Sequence, residues 1–359
     1  MYYFMMILLL AALLMVAICF RHDRPLRRIP LRELHVREMF VASAGLLMLM
    51  YVLCYGKVLD WLSSPRICLY VVLGPALLVF FLRTQHRSRN PYVDLAPLRQ
   101  PKALVGYLYM MIVMFFSTST TLLTNYMTSI LQVDATHSYT LYVWLLPGYA
   151  LGAFVCFWWF RWQRWRFRFL IAGGMACFAL FFGLLYFGIS PGSTYQSLFF
   201  PVFVRGAGML TLIIAFALFA VEELNPKYLI CNAFFLIACR SVLAPVMAAS
   251  FYGNALYRLQ QKYLCSLSEH FTLTDPAAAA KYAAALDSSL ARGHGYAEAA
   301  QLATGELYST LQQQSLLLAL KDILGWLFAV SLLLAVVSRF IPFHKTIRVR
   351  YAKAGDDMV

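Results

Sequence analysis

The feature that most constrains this sequence is a series of long segments without a charged residue. Each is close to the roughly 20 residues that an α-helix needs to cross a bilayer. Because 62% of the 359 residues are hydrophobic and only 13% are charged, an ordinary water-soluble globular chain is excluded. The sequence predicts an all-α, polytopic helical membrane protein. We expect about nine transmembrane helices, at residues 2–20, 40–56, 67–82, 103–126, 138–160, 169–189, 197–221, 228–256 and 315–340.

The positive charges lie mainly in alternate connections between these segments. Basic clusters occupy 21–39, 83–102 and 161–168, and the C-terminal tail is also basic. Since cytoplasmic loops carry the Lys and Arg excess, membrane topology accounts for the net charge of +14. We therefore expect a lipid bilayer as partner, and not nucleic acid. The pattern predicts an inner (plasma) membrane protein with its N-terminus outside and its C-terminus in the cytoplasm.

The residue types that support chemistry at membrane depth are missing from the spans. All seven histidines lie in connections, whereas intramembrane metalloenzymes need His clusters on neighbouring helical turns. The sequence contains no HExxH motif, paired-carboxylate site or phosphate-binding glycine loop, and its eight cysteines form no disulfide framework. We therefore expect no enzyme activity, no catalytic residue, no metal and no cofactor.

Three charged residues inside the apolar runs mark the candidate site. Counted along their spans, Arg205, Arg240 and Asp322 fall in one layer, in the outer-middle part of the bilayer. A charge in a span normally faces the bundle interior and finds a partner there. We expect Arg240 to pair with Asp322, with Arg205 as the second candidate. The layer is either a static ion pair that fixes helix packing or a substrate or coupling site.

Small residues mark positions where helices can touch or bend. Gly148 and Gly152 form a GxxxG motif preceded by Pro147, and Gly206 and Gly208 follow Arg205. Such glycines let two backbones approach closely or let a helix flex. We expect these residues to act in helix packing and gating.

The segment 257–314 is the longest polar stretch, and we expect an outer helical hairpin there. An alanine-rich run begins at Pro276 and continues through Ala291, where Gly293 and Gly295 end the pattern. A second helical stretch leads into the last span. The hairpin is either a passive element at the membrane surface or a docking site for a periplasmic partner.

Several segments, in order, resemble one known family, the 14-helix drug:proton antiporters of the major facilitator superfamily (EmrB/QacA type). The stretch YVLCYGKVLDWLSSPRI resembles the family's signature after its seventh helix, with Gly56, Asp60 and Trp61 in matching places. Asp322 matches an aspartate early in the fourteenth helix. Further similar segments are NPYVDLAPLRQP (90–101), VRGAGM (204–209) with Arg205, ACRSV (238–242) with Arg240, and YRLQQKYLCSLSEH (257–270).

The resemblance covers the family's sixth to fourteenth helices. If Met1 is the true start, the first five helices are missing, as in a truncated or misannotated reading frame. The resemblance implies a single helix and basic cytoplasmic linker (1–39), two linker helices and a basic loop (40–102), a C-terminal six-helix transporter bundle (103–341) and a basic cytoplasmic tail (342–359).

The function that the resemblance implies is efflux of a drug or other small molecule by proton antiport. Such a substrate would be large and apolar, often a cation, whereas two arginines that face the same cavity would favour an anion instead. The lining of this cavity would include aromatic and Met side chains, namely Tyr109, Tyr126, Tyr149 and Met209. The alternatives are a non-transporting membrane scaffold or assembly partner, and an inactive remnant of a transporter.

Overall fold

The computed structural model describes residues 2–19, 36–88, 91, 93–162, 167–221, 228–270 and 276–340. Within this part of the chain every regular element is a helix, which confirms the all-α class. The basic linker before residue 36, residues 163–166 of the 161–168 cluster and the tail 342–359 lie outside the described residues. The helices are α1 (Tyr2–Cys19), α2 (Val36–Tyr55), α3 (Pro65–Arg87), α4 (Ala96–Arg99), α5 (Pro101–Ser117), α6 (Thr120–Ser129), α7 (Ala135–Val143), α8 (Leu145–Trp162), α9 (Phe167–Gly188), α10 (Phe199–Val221), α11 (Leu229–Ile237), α12 (Ala244–His270), α13 (Pro276–Ala291) and α14 (Tyr296–Phe340).

Eight segments of the described chain are helical, long and apolar enough to cross a membrane, as a multi-pass membrane protein requires. They correspond to the second to ninth expected spans, and α1 corresponds to the first. Three spans are built from two helices each, namely α5 with α6, α7 with α8, and α11 with α12.

Proline accounts for one of these breaks. Pro147 lies in the first turn of α8 and has no N–H to donate to the carbonyl of Val143, where α7 ends.

The bundle is organised around α10, which packs against α5, α8 and α9. Helix α14 packs along α9 and also contacts α12. The core between them is aromatic: the Phe116 ring lies 5.7 Å from that of Phe178 and 5.5 Å from that of Phe182, centroid to centroid. Helices α2 and α3 form a separate hairpin that contacts the bundle through α12. The main core is therefore built from α5 to α12 and α14.

Glycines bring α10 into backbone contact with two neighbours. A Cβ at Gly206 would lie 2.8 Å from the carbonyl oxygen of Leu145 in α8, and Gly148 packs against the same turn of α10. On another side of α10, a Cβ at Gly208 would lie 2.7 Å from the Cβ of Cys177 in α9. Both distances are too short for a side chain, so these helices meet backbone to backbone.

Helix α14 extends well beyond the length of a transmembrane helix. It has 45 residues, which at 1.5 Å per residue is about 67 Å, against about 30 Å for a hydrocarbon core. Its first turns pack against α13 through small buried residues, among them Ala278, Ala285 and Ala303. The turn between the two helices contains Gly293 at φ +91°, a conformation that favours glycine. The segment 276–314 thus forms a helical hairpin that continues into the last span.

We expect Gly148→Ala to destabilise the bundle by about 1–3 kcal/mol, because the added methyl would collide with the carbonyl oxygen of Phe203. Thermal unfolding of the purified chain in detergent would measure the change. Gly173→Ala is the matched control, because no atom lies within 4 Å of the methyl it adds. The control should be neutral or gain up to about 1 kcal/mol from helix propensity. Equal melting temperatures for the two variants would contradict the close contact.

Candidate functional site

The candidate site begins at a break in the span formed by α5 and α6. The N–H of Thr121 donates to the carbonyl of Thr118 at 3.1 Å, and not to that of Ser117 four residues back. This tight turn follows from the run Ser117-Thr118-Ser119-Thr120, whose hydroxyls compete for backbone partners. The Thr118 hydroxyl, for example, donates to the Met114 carbonyl at 2.9 Å. The break leaves the carbonyl of Ser117 free to accept from a side chain.

Arg205 of α10 makes that contact. Its Nη2 donates to the Ser117 carbonyl oxygen at 2.6 Å and lies 3.2 Å from the Ser117 hydroxyl oxygen. The side chain is buried, with 3% of its surface exposed. Its Nε and Nη1 have no hydrogen-bond partner among the described residues, and the Phe181 ring lies 5.7 Å from its Cζ. The site therefore holds a buried cation with unused donors.

The three charged residues expected in one layer do not pair with one another. Within the described part of the chain, neither Arg240 nor Arg205 forms an ion pair with Asp322, so the expected Arg240–Asp322 pair is wrong. Asp322 accepts a hydrogen bond from the Tyr263 hydroxyl of α12 instead. Similar depth along three helices does not fix the direction in which each side chain points, and this is why the pairing failed.

Arg240 lies in a π-helical turn, Ala238–Leu243, between α11 and α12. The N–H of Ala244 donates to the Cys239 carbonyl, five residues back, and the next residue, Pro245, has no N–H to offer Ser241. The Arg240 side chain is half-buried and forms no hydrogen bond or ion pair with the described residues. Wide turns of this kind occur frequently at functional sites.

Beside Arg205 the bundle has a polar face that we call the polar wall. Five of its residues are joined by side-chain contacts, namely Ser117, Thr124, Tyr142, Tyr149 and Met209. We include Thr121, because it lies three residues before Thr124 in α6 and so on the same face of that helix. The Met209 sulfur lies 3.3 Å from the Ser117 hydroxyl oxygen and 3.4 Å from that of Tyr149, and the hydroxyl oxygens of Thr124 and Tyr142 are 3.2 Å apart. Thr121 is exposed and the other five are half-buried. The wall joins helices α5 to α8 with α10.

Two of the four residues expected to line a substrate path lie in the core. Tyr126 is fully buried and donates to the Ser190 carbonyl at 2.8 Å. Tyr109 is also buried, with its ring stacked on that of Phe216 at 4.9 Å. Tyr149 and Met209 belong to the polar wall. Sequence reasoning missed Ser117, although the run of hydroxyl residues inside an apolar span was a signal that could have pointed to it.

The remaining candidate residues lie at helix contacts and in a tight turn. Gly148, Gly152, Gly206 and Gly208 all lie where α10 meets α8 or α9. Their part in gating stays a prediction, as does that of Pro147.

The loop that contains Gly56, Asp60 and Trp61 forms a tight turn after α2. Asp60 and Trp61 both have φ of 50°, and the Trp61 N–H donates to the Gly56 carbonyl at 2.7 Å. A Cβ at Gly56 would lie 2.7 Å from the Trp61 ring. In this structure, therefore, these three residues fix the shape of a turn.

No protein-family model matches the chain, and no curated protein is significantly similar to it in sequence. The resemblance to the major facilitator antiporters rests on the motifs quoted above. The described residues contain no cluster of His, Cys, Asp and Glu that could hold a metal ion.

We expect Arg205→Met to leave the melting temperature of the purified chain unchanged or higher. Burial of a cation without a carboxylate partner costs several kcal/mol, which offsets the hydrogen bonds that the substitution removes. A loss of more than about 3 kcal/mol in unfolding free energy would contradict this and identify Arg205 as a purely structural residue. Leu212→Ala in the same helix is the control, because it truncates a fully buried side chain. It should lower the free energy of unfolding by about 2–5 kcal/mol.

Proposed function

We propose that the protein is a transmembrane transporter of the major facilitator superfamily, in its drug-efflux branch. The polar wall and Arg205 would form one side of its substrate path. The ordered motif resemblance supports the family, and the polar wall supports transport. The proposal includes an inner-membrane location and a cytoplasmic C-terminus, since basic clusters alternate along the sequence.

The observation that carries the proposal is the polar wall itself, because the spans that form it also expose apolar side chains of the kind that face lipid. Elsewhere on the bundle, many exposed side chains of the spans are large and apolar, such as Leu108 of α5 and Phe157 of α8. On the α6 side of the wall Thr121 is exposed instead. Polar groups at membrane depth face the protein interior or a water-filled cavity, because lipid offers them no hydrogen bond.

Arg205 gives this face a chemical role. A guanidinium with unused N–H donors attracts a carboxylate, a phosphate or a polar oxygen. The bond between Nη2 and the Ser117 carbonyl holds the group at the edge of the wall, in the turn between α5 and α6. A substrate that contacts the wall would therefore meet a fixed positive charge beside hydroxyl groups.

Proton coupling is assigned to Asp322 within the same proposal. Its carboxylate accepts from the Tyr263 hydroxyl and is half-buried inside the last span, and we assign the exchange of a proton with water to it. Asp322→Asn would retain the oxygen that accepts from Tyr263 and remove the carboxylate that is proposed to carry the proton.

A membrane scaffold is the second candidate, and the hairpin of α13 and α14 favours it. This hairpin extends beyond the length of a span and exposes large side chains, including Tyr296, Leu302 and Tyr308. Such a surface suits contact with a partner protein. Under this reading, deletion of 276–314 would abolish function, whereas polar-wall substitutions would leave it intact.

We expect Thr121→Cys, in a background without native cysteines, to react with a charged, water-soluble thiol reagent about tenfold or more faster than Leu108→Cys in the same background. The polar wall would face water, whereas Leu108, also exposed, would face lipid. The labelling rate in native membrane vesicles is the measurement. Equally slow reaction of both cysteines would argue against a water-filled path.

Transport itself is tested by ethidium efflux in a strain that lacks its own efflux pumps. We expect Arg205→Met and Asp322→Asn to abolish efflux driven by a proton gradient, with normal amounts of protein in the membrane. Leu108→Val is the matched control and should retain efflux. If the unsubstituted chain moves neither ethidium nor protons while deletion of 276–314 has a phenotype, the scaffold reading replaces this proposal.

A further inference from the structure

A second polar feature lies one helical turn beyond the polar wall, between α6, α12 and α14. It is a pocket of about 440 Å³, which we call the amide pocket. This volume is within the range of about 300–1,000 Å³ typical of small-molecule sites. Its polar lining consists of Asn125, Ser129, Gln260, Ser309, Gln312 and Gln313.

The amide pocket differs from the Arg205 site because no charged residue lines it. Its four carboxamides come from three helices that are distant in sequence. None of these four side chains makes a hydrogen bond to another described residue. Each carboxamide offers an oxygen acceptor and two N–H donors, so hydrogen-bond donors and acceptors lie side by side in the pocket.

The floor of the pocket is apolar. Leu256 of α12 and Leu316 of α14 line it and are 8% and 7% exposed. Apolar surface next to donor and acceptor groups matches a sugar ring, which has a C–H face and a rim of hydroxyls. A hydroxyl both donates and accepts, as a carboxamide does. An ionic ligand would find no opposite charge in the lining and would lose hydration without compensation.

We propose that the amide pocket binds an uncharged, hydroxyl-rich group, either a free sugar or polyol or the neutral sugar head group of a glycolipid. Both sources are accessible, because Asn125 and Ser129 lie in the last two turns of a membrane span and Gln312 and Gln313 lie where α14 leaves the hairpin. The proposal does not depend on transport, and the test below measures binding alone.

The test uses the full chain in phosphatidylcholine nanodiscs, prepared with a detergent that has no sugar head group. Isothermal titration with maltose tests the free sugar, and titration with glucose 6-phosphate tests whether a charged sugar is rejected. Nanodiscs that contain digalactosyl diacylglycerol, analysed by native mass spectrometry, test the glycolipid head group. We expect saturable binding of at least one neutral probe and none of glucose 6-phosphate.

Neighbouring glutamines provide matched controls. Gln260→Leu and Gln313→Leu remove amides from the lining, whereas Gln261→Leu and Gln314→Leu remove exposed amides one residue away that do not line the pocket. We expect each of the first two to weaken binding about tenfold, the effect of losing one or two hydrogen bonds. The two controls should bind as the unsubstituted chain does. A monodisperse size-exclusion profile would confirm that all four variants fold.

Each outcome decides for or against the proposal. Binding of maltose assigns a free sugar, and binding of digalactosyl diacylglycerol without maltose assigns a lipid head group. Absence of binding by both neutral probes overturns the proposal, as does equal binding by all four variants. Binding of glucose 6-phosphate as tight as that of maltose would show that the pocket does not select uncharged ligands, and would also overturn it.

Discussion

The backbone contacts of α10 with α8 and α9 are the constraint on which the rest of the bundle depends. Gly206 meets α8 and Gly208 meets α9, and at about 100° per residue these two positions and Arg205 point in different directions around one helix. Because two sides of α10 are closed by backbone contact, the Arg205 side chain extends toward α5. The position of the buried cation is thus a consequence of where the glycines lie.

The cation and the broken span support each other. An intact helix through residues 117–121 would use the Ser117 carbonyl internally, and Arg205 would then lose its strongest acceptor. Without the guanidinium, the Ser117 carbonyl would keep only a long contact of 3.5 Å from the Thr120 hydroxyl, and the lost hydrogen bond would cost about 1–3 kcal/mol. The buried cation and the interrupted helix each cost free energy alone. The hydrogen bond of 2.6 Å between Arg205 and the Ser117 carbonyl therefore stabilises both. It also places the charge beside the hydroxyl groups of the polar wall.

The sequence predicts the spans well because the hydrophobic requirement of a bilayer acts on each segment separately. The alanine-rich run that begins at Pro276 and ends at Ala291 is likewise a local signal, and helix α13 has those bounds. The breaks within three spans were not predicted, since a hydropathy pattern is insensitive to a shift of one hydrogen bond. The partner of Asp322 depends on rotation about α12 and α14, which packing determines, and so Tyr263 was missed.

Helix α14 has a mechanical consequence for the bundle. Three other spans are interrupted, whereas α14 runs unbroken and without proline from the hairpin to Phe340. Asp322 lies 26 residues after Tyr296, which is about 39 Å along a straight helix. If the helix pivots near Asp322, a tilt of about 10° there displaces the tip of the hairpin by about 7 Å. The hairpin is therefore a lever arm, and a load applied to its tip would exert torque on the helix that carries this carboxylate.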